Sequence, residues 1–206
     1  KIAAAALVVT LLLSCAVLGA EDPVLTLYKD VRLQLQRDPA NPTVMMAVRP
    51  PIDAKNPAHR KALDEIVTYL EAAAGEKADN FHVVHNYRLA LWTRFLQLGD
   101  EADAAAALEQ LETASKLAEA GSAERARCDF ERAQATLALR DKGLTKLVKG
   151  DATETAIEEF IAAKRSAMTT GHYAAQSALA LAGLYAEKRD LTNAKKMARE
   201  ALDLDT

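Results

Sequence analysis

No proline follows Pro57; all six lie between Pro23 and that point. Proline removes a backbone donor and breaks helix interiors. The chain beyond residue 57 is therefore free to be helical throughout, and the stretch before it is not. The chain is also rich in alanine, and aromatic residues make up only 5% of it. That composition suits helices better than strands. The expectation is an all-α protein with an irregular, proline-rich N-terminal arm.

Hydrophobic spacing divides this helical chain into elements. Val24, Leu27, Tyr28, Val31 and Leu35 recur at helical intervals and predict a helix over 23–37, stopped by Asp-Pro-Ala-Asn-Pro at 38–42. Residues 43–55 carry no clear period, and their apolar side chains are expected to lie against the helices. Asn56 and Pro57 read as an N-cap and a first helical residue. The stripe Leu63, Ile66, Val67 and Leu70 follows, with Gly75 as the stop. Asn80 caps a helix bearing Val84, Leu91 and Phe95 and ending at Gly99; Asp100 caps the next, which ends near Gly121. Ser122 opens a long helix that either continues past Gly143 to Lys149 or breaks there. A helix with Ala156, Phe160 and Ala163 follows the Gly150–Asp151 turn, and helices over 172–188 and 191–204 complete the chain. Short connections make successive helices antiparallel.

Residues 2–20 are apolar apart from Thr10 and Ser14, follow Lys1 and precede Glu21-Asp22-Pro23. This is the layout of a secretory signal peptide, with small-residue cleavage points after Ala16, Gly19 or Ala20. Leu12-Leu13-Ser14-Cys15 also resembles a bacterial lipobox, in which Cys15 would be lipidated, and an uncleaved anchor is the third reading. Export to the periplasm or cell envelope is the common expectation, with membrane attachment only through this segment. From Glu21 onward the chain carries 25 basic residues, one fewer than the whole, and 29 acidic, a net charge of −4. That balance lacks the basic surplus of a nucleic-acid binder.

The stretch 177–206 shows two short amphipathic helices around a tight polar turn. Leu181 and Tyr185 are expected on the inner face of the first, and Ala194, Ala198 and Ala201 on the inner face of the second. With Ala182 and Asp190, these residues resemble a tetratricopeptide repeat (TPR) unit. Leu91, Phe95, Gly99, Asp100, Ala104 and Leu108 match a second unit. Gly143, Gly150, Asp151, Ala156, Phe160 and Ala163 match a third when one residue is inserted. The turns at Gly99, Gly150 and Arg189 stand 51 and 39 residues apart, against a family period of about 34. The resemblance implies antiparallel hairpins stacked as a right-handed solenoid over 58–206, behind a signal segment at 1–20 and an arm at 21–57. It also implies a scaffold that binds a protein or peptide in its concave groove. The alternative is an exported α-helical small-ligand-binding component.

Catalytic signals are weak. His82 and His85 stand i, i+3 on one helix, but no third ligand accompanies them, and a metal site needs three or four. No phosphate loop, nucleophile elbow or His-Glu-x-x-His occurs. The expectation is a non-catalytic protein without a cofactor. Lys142, Lys146 and Lys149 are expected on one helical face, opposite Leu144, Leu147 and Val148; with Lys188 and Arg199 they are candidates for holding a partner's acidic groups. Trp92 is a core residue or a peptide platform. Cys128, with no histidine nearby in sequence, reads as a buried core residue.

Overall fold

A computed structural model describes residues 22–47, 52–148 and 172–204, and these form seven α-helices and no strand. The segment 1–20 with Cys15, and the sequence candidates Lys149, Gly150, Ala156 and Phe160, lie outside the described residues. The chain divides into two compact units, one up to Asp103 and one from Ala104.

The first unit begins with α1 (Pro23–Arg37). The Asp22 carboxylate accepts the Val24 and Leu25 amides at 2.9 and 3.4 Å, and Pro23 occupies the first helical position. Tyr28, Val31 and Leu35 are buried along one stripe. The 38–42 stop is a pair of Asx turns: Asp38 accepts the Ala40 amide at 3.0 Å and Asn41 the Thr43 amide at 3.1 Å. A short 3₁₀ turn, Val44–Ala47, follows. As expected for this stretch, Val44, Met45 and Ile52 are buried.

Helix α2 (Pro57–Glu76) starts at the Asn56 cap and buries Leu63, Ile66, Val67 and Leu70. It runs through Gly75 rather than stopping there, because Lys77 still donates its amide to Ala73 at 3.0 Å. Helix α3 (Phe81–Leu98) is capped by Asn80 and ends at Gly99, whose φ of 80° is the left-handed geometry glycine tolerates. The Asn86 amide of α3 donates to the Pro39 and Asn41 carbonyls, both at 2.9 Å, which pins the proline turn onto the helices.

The unit boundary falls in the first turn of α4 (Glu101–Leu117). In the second unit α4 buries Ala104, Ala107, Leu111 and Ala114 at alternating three- and four-residue steps. Helix α5 (Ala123–Asp141) begins at the Ser122 cap. Its end decides the question left open by the sequence. Leu144 donates to Leu139 at 2.8 Å and Gly143 to Arg140 at 2.9 Å, with Gly143 at φ 73°. This is a Schellman stop, so the helix does not reach Lys149, and Lys142 and Lys146 do not share a helical face. Lys142 caps α5, whereas Lys146 lies in a separate 3₁₀ turn, Thr145–Leu147.

Helices α6 (His172–Glu187) and α7 (Leu191–Leu204) pack as a hairpin. The same stop recurs between them: Asp190 donates to Tyr185 at 2.8 Å and Arg189 to Ala186 at 3.0 Å, but here the left-handed residue is Arg189, at φ 60°. Asp190 then caps α7 through the Asn193 amide at 3.1 Å. Phe130 and Ala133 of α5 form a core with Leu181, Ala182 and Leu184 of α6 and Met197 of α7. Ala201 is buried and Ala194 half-buried, but Ala198 is exposed and its expected place inside is taken by Met197. A one-residue step turns a helix by about 100°; the larger side chain takes the inner position.

Candidate functional site

The second unit carries a cleft of about 530 Å³ between α4, α5 and the 3₁₀ turn that follows. Its position follows from the Schellman stop, which turns the chain back so that Leu147 and Val148 join Leu108 and Leu111 in an aliphatic lining. Thr136 and Ser115, both buried, supply hydroxyls. Lys116, Arg125 and Arg132 supply charge. Arg125 donates to the Ser115 carbonyl at 2.9 Å, satisfying a carbonyl of the last turn of α4. Arg132 donates to the Ser115 hydroxyl at 3.3 Å. Asp129 stands 3.5 Å from Arg125 and 3.9 Å from Arg132, and Glu112 pairs with Lys116 at 2.9 Å on the exposed rim.

A second surface lies on the α6–α7 hairpin. Leu191, Lys195, Ala198 and Leu202 step along one side of α7, and all four are exposed. Leu191 is 62% and Leu202 73% accessible, as is 65% of Leu179 on α6. The exposed bases Lys188, Lys196 and Arg199 border the α7 stripe, with one exposed acid, Asp203, beside Leu202.

Lys188 and Arg199 belong to the hairpin surface. Lys142 and Lys146 are exposed near the end of α5, and neither lines the cleft. Trp92 is half-buried, with the Arg88 guanidinium 5.6 Å from its ring centroid and Phe95 at 5.1 Å, so it is part of an aromatic and cationic stack. His85 is buried and stacks on Phe81 at 5.5 Å, and His82 meets the same ring edge-on at 5.2 Å. Among the described residues, no group of three His, Cys, Asp or Glu is placed to hold a metal ion. Cys128 is fully buried in α5.

Two sets of residues went unread in the sequence. Arg125, Arg132 and Thr136 share one helix face at steps of seven and four, a usable signal, but only the folded chain sets them opposite the end of α4. The other is His59, buried at the start of α2. Its Nδ1 accepts the Asp53 amide at 3.1 Å, so Nε2 carries the proton and donates to Asp22 at 2.7 Å. That hydrogen bond, ahead of the helix-cap amides, lowers the Asp22 carboxyl below its usual range. Both ring nitrogens are thus committed to structure, joining the arm and the N-cap of α1 to α2.

Compared with known proteins, the chain matches no family model and no curated sequence. Among the described residues, no helix is long and apolar enough to cross a membrane.

Proposed function

We propose that this chain is an exported, non-catalytic scaffold of TPR-like helical hairpins that binds a protein or peptide partner. The observation that carries the reading is the exposed side of α7, with Leu191 and Leu202 at its two ends and bases around it. Large exposed apolar side chains rimmed by polar ones mark protein interaction sites, and the positive rim favours a partner with acidic residues beside its apolar ones. The hairpin organisation supports the resemblance at α6–α7. The apolar run at 2–20 supports export. The cleft favours the small-ligand reading as a second activity of the same chain.

A photo-crosslinking residue at Leu202 in the full chain, compared with one at Leu33 on α1, tests the scaffold. A discrete partner adduct at position 202, absent at 33 and lost in K195E/R199E, is the expected result. Equal labelling at both positions, or none at either, would overturn it. Mass spectrometry of the N-terminus tests export separately, since an intact 1–20 segment removes both cleavage readings.

A further inference from the structure

We infer that the cleft between α4 and α5 is a binding site for a small amphipathic monocarboxylate with an aliphatic tail. The site is distinct from the partner surface on the α6–α7 hairpin. Three features of the cleft select this chemistry.

The first is charge. Among the described residues, Lys116, Arg125 and Arg132 face the two carboxylates Glu112 and Asp129, a surplus of one positive charge. A monoanion neutralises that surplus, whereas a doubly charged phosphate would overshoot it beside Asp129. The second is geometry at the head. Arg132 makes a 3.3 Å hydrogen bond to Ser115 and a 3.9 Å contact with Asp129. A guanidinium offers five donors in a planar fork that matches a carboxylate. The third is the wall. Leu108, Leu111, Leu147 and Val148 are aliphatic, and among the described residues no lining side chain is aromatic. A flat ring would find no stacking partner among these four side chains, but a methylene chain buries its surface equally well anywhere along them. At about 530 Å³ the cleft also lies within the size range of small-molecule sites.

The experiment is calorimetric titration of the full chain with hexanoate, octanoate and decanoate, each below its micellar concentration. Binding should tighten by about fourfold per methylene, the gain expected for burying one CH₂. Nonyltrimethylammonium, with the same alkyl tail and the opposite charge, should bind at least tenfold more weakly than decanoate. Arg132→Gln should weaken decanoate about tenfold with the circular dichroism unchanged. Because Arg132 contacts the α4 end, Lys116→Gln on the exposed rim provides a second variant that leaves the fold alone; a two- to threefold loss is expected. Equal affinity for the cationic and anionic probes, displacement of decanoate by inorganic phosphate, or no heat with decanoate would each overturn the assignment. The crosslink at Leu202 does not depend on these outcomes, so failure of the cleft and failure of the scaffold are read separately.

Discussion

Arg189 shows how much a single residue can reveal. It holds φ 60° at a helix stop where Gly143, in the equivalent stop, holds 73°. A side chain in that region is strained, so Arg189→Gly is expected to raise stability by about 0.5–1 kcal/mol, read as a higher urea midpoint; no change or a loss would show that the arginine side chain compensates. Tyr28 makes a second case. Its hydroxyl is buried with no hydrogen-bond partner among the described residues, and burial pushes its pKa from 10.0 up to about 12. The folded state therefore keeps the proton to higher pH than the unfolded chain does. Stability is undiminished below pH 10 and falls as pH rises from there toward 12. Urea midpoints at pH 9 and pH 11 should differ more in the native protein than in Tyr28→Phe, which loses the titrating group.

At the scale of elements, the helices are set by punctuation and held by a few polar ties. Arg94 of α3 grips Asp103 in the first turn of α4 with two hydrogen bonds of 2.6 and 2.7 Å, and reaches Asp64 of α2 at 3.0 Å. Asp103 is buried, and a lysine cannot reproduce the two-pronged contact. Arg94→Lys is expected to cost about 2 kcal/mol, measured by denaturant unfolding; a cost under about 0.5 kcal/mol would mean that the pair behaves as an exposed one. Most helix starts were legible because Asn56, Asn80, Asp100 and Ser122 announce themselves as caps. Gly75 was misleading, since glycine ends a helix only where the backbone turns left-handed and here the amide ladder continues past it. The basic face through Lys142 and Lys146 failed for the converse reason. Gly143 does turn, so Lys146 lies in a separate 3₁₀ turn and not on the helix that ends at Lys142.

Across the whole molecule, the division at Asp103 predicts that damage is felt unit by unit. Asn86→Ala removes the two hydrogen bonds that pin the proline turn, a loss of about 2 kcal/mol. Amide exchange should quicken over 22–103 well before 104–204, and a uniform rise would argue for a single cooperative unit.

What the sequence determined by itself is the class of structure. Proline confined to the arm, apolar stripes at helical spacing and side-chain caps are local properties, so the helices and most of their ends follow from residues a few positions apart. What the tertiary structure decided are the associations between distant residues. The Asp22–His59 tie spans 37 residues and the Asn86 contacts 45 and 47. The cleft joins the end of α4 to the turn after α5, and Met197 displaces Ala198 by filling space between helices. These depend on which surfaces meet and which side chain best fills the gap. Helical periodicity carries no information about either.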